Sequence, residues 1–106
     1  MPGWLVIVNP AAGGGRAGGA RMRALVDHLA RDLGAELAAT DGAGHAAALA
    51  AAAGDRAGLA VVGGDGTVAE AVEGMDRERQ VLLVVAAGTG NGLARDLGLA
   101  RPADAL

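Results

Sequence analysis

The chain of 106 residues contains no cysteine, lysine, serine, tyrosine or phenylalanine, and Trp4 is its one aromatic side chain. Without cysteine neither a disulfide nor a thiolate metal site can form, which fits a reducing compartment. Without lysine there is no Walker A motif and no Schiff-base nucleophile. Without serine or cysteine the usual acyl-transfer triads cannot be assembled. Charge of a single sign is also missing. Nine basic residues, all arginine, stand against twelve acidic ones for a net charge of −3. A nucleic-acid partner, which calls for a basic face with stacking aromatics, is therefore not expected. No apolar run reaches about 18 residues, and the N-terminus has no signal-peptide pattern, so a cytoplasmic protein is expected.

With 52 % hydrophobic residues, the chain has enough apolar material for one small globular domain. Its core must be built from leucine, valine and many alanines, which give shallow layers. At this size burial is marginal, and a second domain or a homodimer partner is expected to add to it.

Four apolar runs organise the sequence: Trp4 to Val8, a weaker Glu36 to Thr40, Leu59 to Val62, and Val81 to Val85. The continuous runs are typical of strands buried on both faces. Between them lie helical segments. Met22, Leu25, Val26, Leu29 and Leu33 recur at helical spacing and stop at Gly34. His45 to Ala53 is alanine-rich, and Val68, Ala71, Val72 and Met75 share one face. A last helix is read from Leu93 to Leu97. The alternation βαβαβαβα predicts an α/β domain with an open, mainly parallel sheet and helices on both faces, with no internal boundary.

The third run ends at Gly63-Gly64-Asp65-Gly66-Thr67 and restarts as a helix. Such a turn presents bare N–H groups at a helix N-terminus, where phosphate oxygens bind. The glycines are expected to bring the backbone close to a ligand and to adopt positive φ. Asp65 and Thr67 add a carboxylate and a hydroxyl. The uncharged polar side chains repeat the message: Asn9, Thr40, Thr67, Thr89 and Asn91 all follow the C-terminal end of an expected strand, and only Gln80 does not. That edge is where open α/β sheets bind ligands, although helix capping alone would also favour Thr67 and Asn91. A competing dinucleotide fingerprint, Gly13, Gly15 and Gly18, is displaced from the first strand by Asn9-Pro10-Ala11-Ala12 and lacks a well-placed acidic partner other than Asp41.

Three blocks carry a family resemblance: Asn9-Pro10 with Gly13 to Arg16, GGDGTVAEAVEG from Gly63 to Gly74, and AAGTGNGLARDLGL from Ala86 to Leu99. Together with Thr40 and Gly44-His45-Ala46 they resemble, in order and spacing, the catalytic domain of the diacylglycerol kinase and sphingosine kinase family. GGDGT alone is shared with the NAD kinase and phosphofructokinase relatives.

The resemblance implies an NAD kinase-like and diacylglycerol kinase-like N-terminal domain over residues 1–106, followed in the family by a β-rich domain that supplies much of the lipid site. It implies transfer of a phosphoryl group from ATP, with Mg²⁺, to a lipid hydroxyl, with peripheral membrane association in a longer form. ATP would meet Gly63, Gly64, Gly66 and Thr67 at its phosphates. Asn9 and Arg16 would reach the phosphate or ribose region, Thr40 the nucleoside side, and Gly88, Thr89 and Asn91 the opposite wall. Asp65 is the catalytic candidate, either coordinating the metal indirectly or acting near the transferred group. Glu70 is a second acidic candidate, or else a solvated helix residue. Two positions depart from the family pattern, Gly92 where Asp is usual and Ala86 where Pro is favoured. The alternatives are a non-catalytic ATP- or NAD-binding module, an inactive fragment, and a glycine-rich domain without a ligand.

Overall fold

A computed structural model describes residues 3–12 and 19–86. Four strands, β1 (Trp4–Val8), β2 (Glu36–Ala39), β3 (Gly58–Gly63) and β4 (Val81–Ala86), alternate with three helices, α1 (Ala20–Leu33), α2 (His45–Ala52) and α3 (Asp65–Gly74). All three strand pairings are parallel, and the sheet order is β2-β1-β3-β4. The α/β architecture expected from the alternating runs is the one observed. The helix read after β4 lies outside the described residues.

The order of the strands fixes where the helices go. From β1 the chain moves one way to β2, then crosses back over β1 to β3 and continues outward to β4. Right-handed crossovers then require α1 on one face of the sheet and α2 and α3 on the other. Two separate cores result. Leu5, Ile7, Leu59, Val61 and Val84 pack with Ala46, Ala50, Val68, Ala71 and Met75 of the α2–α3 side. Val6, Val8, Ala60, Val62 and Val85 share the other face with Val26 and Ala30 of α1. Successive residues of each strand thus serve opposite cores, which is why these strands read as unbroken apolar runs.

Helix ends and close contacts explain several glycines. Gly34, at φ 62°, ends α1, and the next residue, Ala35, donates its N–H to the Ala30 carbonyl at 2.8 Å. This left-handed closure favours glycine. Gly74 lies where α3 crosses α2, and a Cβ there would stand 2.2 Å from the Ala47 carbonyl oxygen. The alanine-rich composition of α2 has the same origin, because only small side chains let the two helices come this close. At the opposite edge of the sheet from the polar loops, Trp4 covers Gly58, where a Cβ would meet the indole ring at 2.7 Å. Trp4 is a packing residue. No helix among the described residues is long and apolar enough to cross a membrane.

Candidate functional site

The connections leaving β1 and β3 run to opposite faces of the sheet, so a crevice opens between the C-terminal ends of these two neighbours. Ligands of open α/β sheets bind at such a point. Asn9 is the first residue after β1, and Gly64 the first after β3.

Asn9 is held three ways. Its N–H donates to the Val62 carbonyl at 2.9 Å, extending the β1–β3 ladder by one rung. Its Oδ1 accepts the Ala11 N–H at 3.1 Å, turning the chain through Pro10. Its Nδ2 donates to Thr67 Oγ1 at 3.0 Å. An amide nitrogen carries two hydrogens and this bond uses one, while Thr67, as acceptor, keeps its own hydroxyl hydrogen. An aspartate at position 9 could not donate this bond at neutral pH. Asparagine thus serves both neighbours at once, as acceptor to Ala11 and as donor to Thr67.

Gly64 is extended, at φ −94° and ψ −171°, and α3 begins at Asp65. The helix thus starts three residues before the Val68 expected from the sequence, and the GDGT stretch forms its first turn. No glycine of GGDGT adopts positive φ; among the described residues only Gly3, Gly34 and Gly44 do. The glycines serve proximity instead. A Cβ on Gly63 would lie 2.9 Å from Thr67 Cβ and Oγ1, whereas Gly64 and Gly66 are exposed and a Cβ on either would meet nothing within 4 Å. Two exposed glycines with open space above them leave the main chain bare at this turn.

No side chain caps α3. Thr67, expected from the sequence to stand just before the helix, is instead its third residue, buried and bonded to Asn9. The leading amides of an α-helix have no intrahelical acceptor, and the helix dipole adds partial positive charge at the same end. An uncapped amino end with two exposed glycines suits an anion, and the Asp65 carboxylate on the same turn suits a cation beside it.

These elements border a cleft of about 390 Å³ lined by Asn9, Thr40, Gly64, Gly66, Thr67 and Glu70, with Ala11, Ala12, Gly42, Ala43 and Ala46 completing its walls. Three loops meet here, those after β1, β2 and β3, and the loop expected after β4 lies outside the described residues. Thr40 enters because its N–H donates to the Val8 carbonyl at 2.8 Å, which carries the β1–β2 pairing one residue further. Asp65 is exposed at the first position of α3 and does not line the cleft. Arg16, Gly88, Thr89 and Asn91 lie outside the described residues, as do Gly13, Gly15 and Gly18.

Two features of the cleft were not foreseen. The alanines at 11, 12, 43 and 46 give it smooth apolar walls, in a chain where alanine is too common to signal anything. Glu70, read as an acidic candidate or a solvated residue, accepts the Gly44 N–H at 3.1 Å and joins α3 to the loop before α2. Next to that contact, His45 Nδ1 accepts the Asp41 N–H at 2.8 Å, so His45 braces its own loop. Among the described residues no group of three or more His, Cys, Asp or Glu side chains could hold a metal ion.

Residues 3–106 match the family model of the diacylglycerol kinase catalytic domain. Three solved structures from Bacillus anthracis str. Sterne, two assigned provisionally as a diacylglycerol kinase and the third described as one, are each 31% identical to this chain. Their TM-scores are 0.77, 0.76 and 0.76, and the alignments cover 91% of this chain but 34%, 36% and 34% of theirs. The chain thus spans about a third of the length of these structures. No curated protein matches it.

Proposed function

Because the chain belongs to the diacylglycerol kinase catalytic domain family, we propose that it is the ATP-binding lobe of a lipid kinase. With a second domain it would transfer the terminal phosphoryl group of ATP to a lipid hydroxyl. The observation that carries the proposal is the Asn9–Thr67 hydrogen bond beside the uncapped start of α3. It ties the ends of β1 and β3 together at the crevice and leaves the amides of α3 for phosphate oxygens.

Phosphoryl transfer depends mainly on positioning and on neutralising charge. Main-chain amides of the Gly64–Thr67 turn would hold the phosphates, with Arg16 as the cation proposed to join them. Asn9 and Thr40 would contact the ribose and nucleoside, and Gly88, Thr89 and Asn91 would form the facing wall. The donor set suits Mg²⁺ brought in with the nucleotide. Mg²⁺ typically takes one or two carboxylates and fills its remaining positions with phosphate oxygens and water. Asp65, an exposed carboxylate on the first turn of α3, would hold it directly or through water. When bound, the metal would offset the negative charge of the phosphates. The lipid would be supplied from the second domain, with the membrane contact that this implies.

Titration of the chain with ATP and Mg²⁺ in a calorimeter tests the site. Gly64→Val and Asp65→Ala are expected to lose binding. The backbone of Gly64 lies in a region open to any L-residue and no atom crowds it, so a valine there would obstruct the ligand and leave the fold intact. Unchanged affinity in both variants would overturn the site.

One observation favours a second reading, nucleotide binding without transfer. Glu70 is the only ionisable side chain among the cleft-lining residues described, and it is engaged by the Gly44 amide. The described part of the cleft thus offers a single carboxylate, already tied to the loop before α2, to take up the proton of the acceptor hydroxyl. Transfer of radiolabelled phosphate to lipid in mixed micelles, by a longer chain carrying the second domain, separates the two readings.

A further inference from the structure

We infer that Glu70 is a positioning residue, a clasp that sets the spacing between the two walls of the cleft by holding Gly44 of the β2–α2 loop against α3. The inference rests on the nucleotide-binding reading of the cleft.

The two walls come from separate parts of the chain. One is the amino end of α3 with Gly64, Gly66 and Thr67, and the other is the loop carrying Thr40, Gly42 and Ala43 into α2. Packing joins the C-terminal end of α3 to the first turn of α2, where Gly74 meets Ala47. At the rim, 26 residues apart in sequence, the Gly44 N–H to Glu70 Oε1 bond spans them at 3.1 Å. Gly44 sits at φ 82° directly before α2, which has no side-chain cap from its own sequence. The Glu70 carboxylate supplies that cap from the neighbouring helix and places negative charge where the dipole of α2 favours it.

The two helix starts at this rim are thereby made unequal. A carboxylate occupies the amino end of α2, and the amino end of α3 has no side-chain cap. Thr40, on the loop that the Gly44 contact closes, is thereby held facing Thr67 across the cleft. Pre-arranged walls of this kind raise affinity by removing the ordering cost from the binding step.

Two substitutions separate the roles open to this side chain. Glu70→Gln keeps an Oε1 acceptor for Gly44 and loses the charge, whereas Glu70→Ala loses both. Amide hydrogen exchange on the nucleotide-free chain comes first: Glu70→Ala is expected to speed exchange at Gly44 and its loop, and Glu70→Gln to leave it near wild type. Titration with ATP and Mg²⁺ comes second, with affinity falling about 3- to 10-fold in Glu70→Ala, the worth of one ordinary hydrogen bond, and largely restored in Glu70→Gln.

Unchanged exchange at Gly44 in Glu70→Ala would overturn the clasp. Faster exchange with unchanged affinity would reduce Glu70 to a stabilising contact, and an equal loss of affinity in both variants would mean direct contact between the carboxylate and the ligand or its metal. Either result overturns the positioning role. If the wild-type chain binds no nucleotide, the reading of the cleft fails and the positioning role with it, while the exchange data would still register the Gly44 contact.

Discussion

Asn9 and Thr67 stand 58 residues apart in sequence and are joined by a hydrogen bond from Nδ2 to Oγ1 at 3.0 Å. The bond closes the crevice between β1 and β3 at its floor and joins the loop after β1 to the first turn of α3. One contact therefore serves the fold and the proposed anion site at once. Asn9→Ala leaves a buried hydroxyl without its donor, at a cost of about 1–2 kcal/mol. Thr67→Val, close in shape, removes the acceptor. Urea denaturation of both single variants and the double variant is expected to give a coupling energy of about 0.5–1.5 kcal/mol, and additive effects would show that the bond contributes nothing.

Glycines of the GGDGTVAEAVEG block are expected to divide by function. Gly63→Ala pushes a methyl group against Thr67, and Gly74→Ala drives one into the Ala47 carbonyl. Each should cost about 1–3 kcal/mol of stability, Gly74→Ala the more because its obstacle is backbone. Gly66→Ala meets no atom and lies within the first turn of α3, where alanine is favoured over glycine by about 0.5–1 kcal/mol. It should preserve or raise the melting temperature while weakening nucleotide binding. Thermal melts paired with ATP titrations check the division, and a Gly66→Ala chain that binds as well as wild type would remove Gly66 from the site.

The fold was legible in the sequence because both faces of every inner strand are buried. Val6 and Ile7 serve different cores, so the run has to be apolar throughout and its limits show. The start of α3 was harder to locate. Glycine at positions 64 and 66 suggests a loop, yet Asp65 and Gly66 are already helical. A helix can begin on poor helix formers when its first turn is shaped for a ligand or for close packing rather than for intrinsic stability.

Within the site, Asn9, Thr40 and Thr67 could each be named from their place after a strand. That Asn9 would bond Thr67, and Glu70 the amide of Gly44, could not. Those contacts depend on how loops from different strands meet, and no local pattern encodes the meeting. The opposite case is Gln80, the one uncharged polar residue that does not follow a strand.

Gln80 is buried and uses its whole amide group in the fold. Its Nε2 donates to the carbonyls of Ala53 and Arg56, and its Oε1 accepts the Asp76 N–H at 2.9 Å. These contacts pin the loop before β3 to the loop before β4, at the edge of the sheet opposite the cleft. Gln80→Ala would leave three main-chain groups to find other partners, a loss of about 2–3 kcal/mol in chemical denaturation. Affinity for ATP, measured well below the melting transition, should not change. A large loss of affinity would mean that the two edges of the sheet are coupled.

The lone tryptophan offers a last test, because Trp4 opens β1 and Asn9 follows its end. At about 3.3 Å per residue the two lie roughly 16 Å apart along the strand, with Val6 and Ile7 fully buried between them. Indole emission should therefore report on folding and be silent to ligand. Titration with ATP and Mg²⁺ is expected to leave the emission maximum in place, while unfolding moves it to the red as the ring leaves its contact with Gly58. Gly58→Ala, which forces the ring off the strand, should shift the folded-state spectrum without altering nucleotide affinity. A shift on adding ATP to the wild-type chain would instead show that binding rearranges β1, and the picture of a cleft built on a rigid sheet would have to be given up.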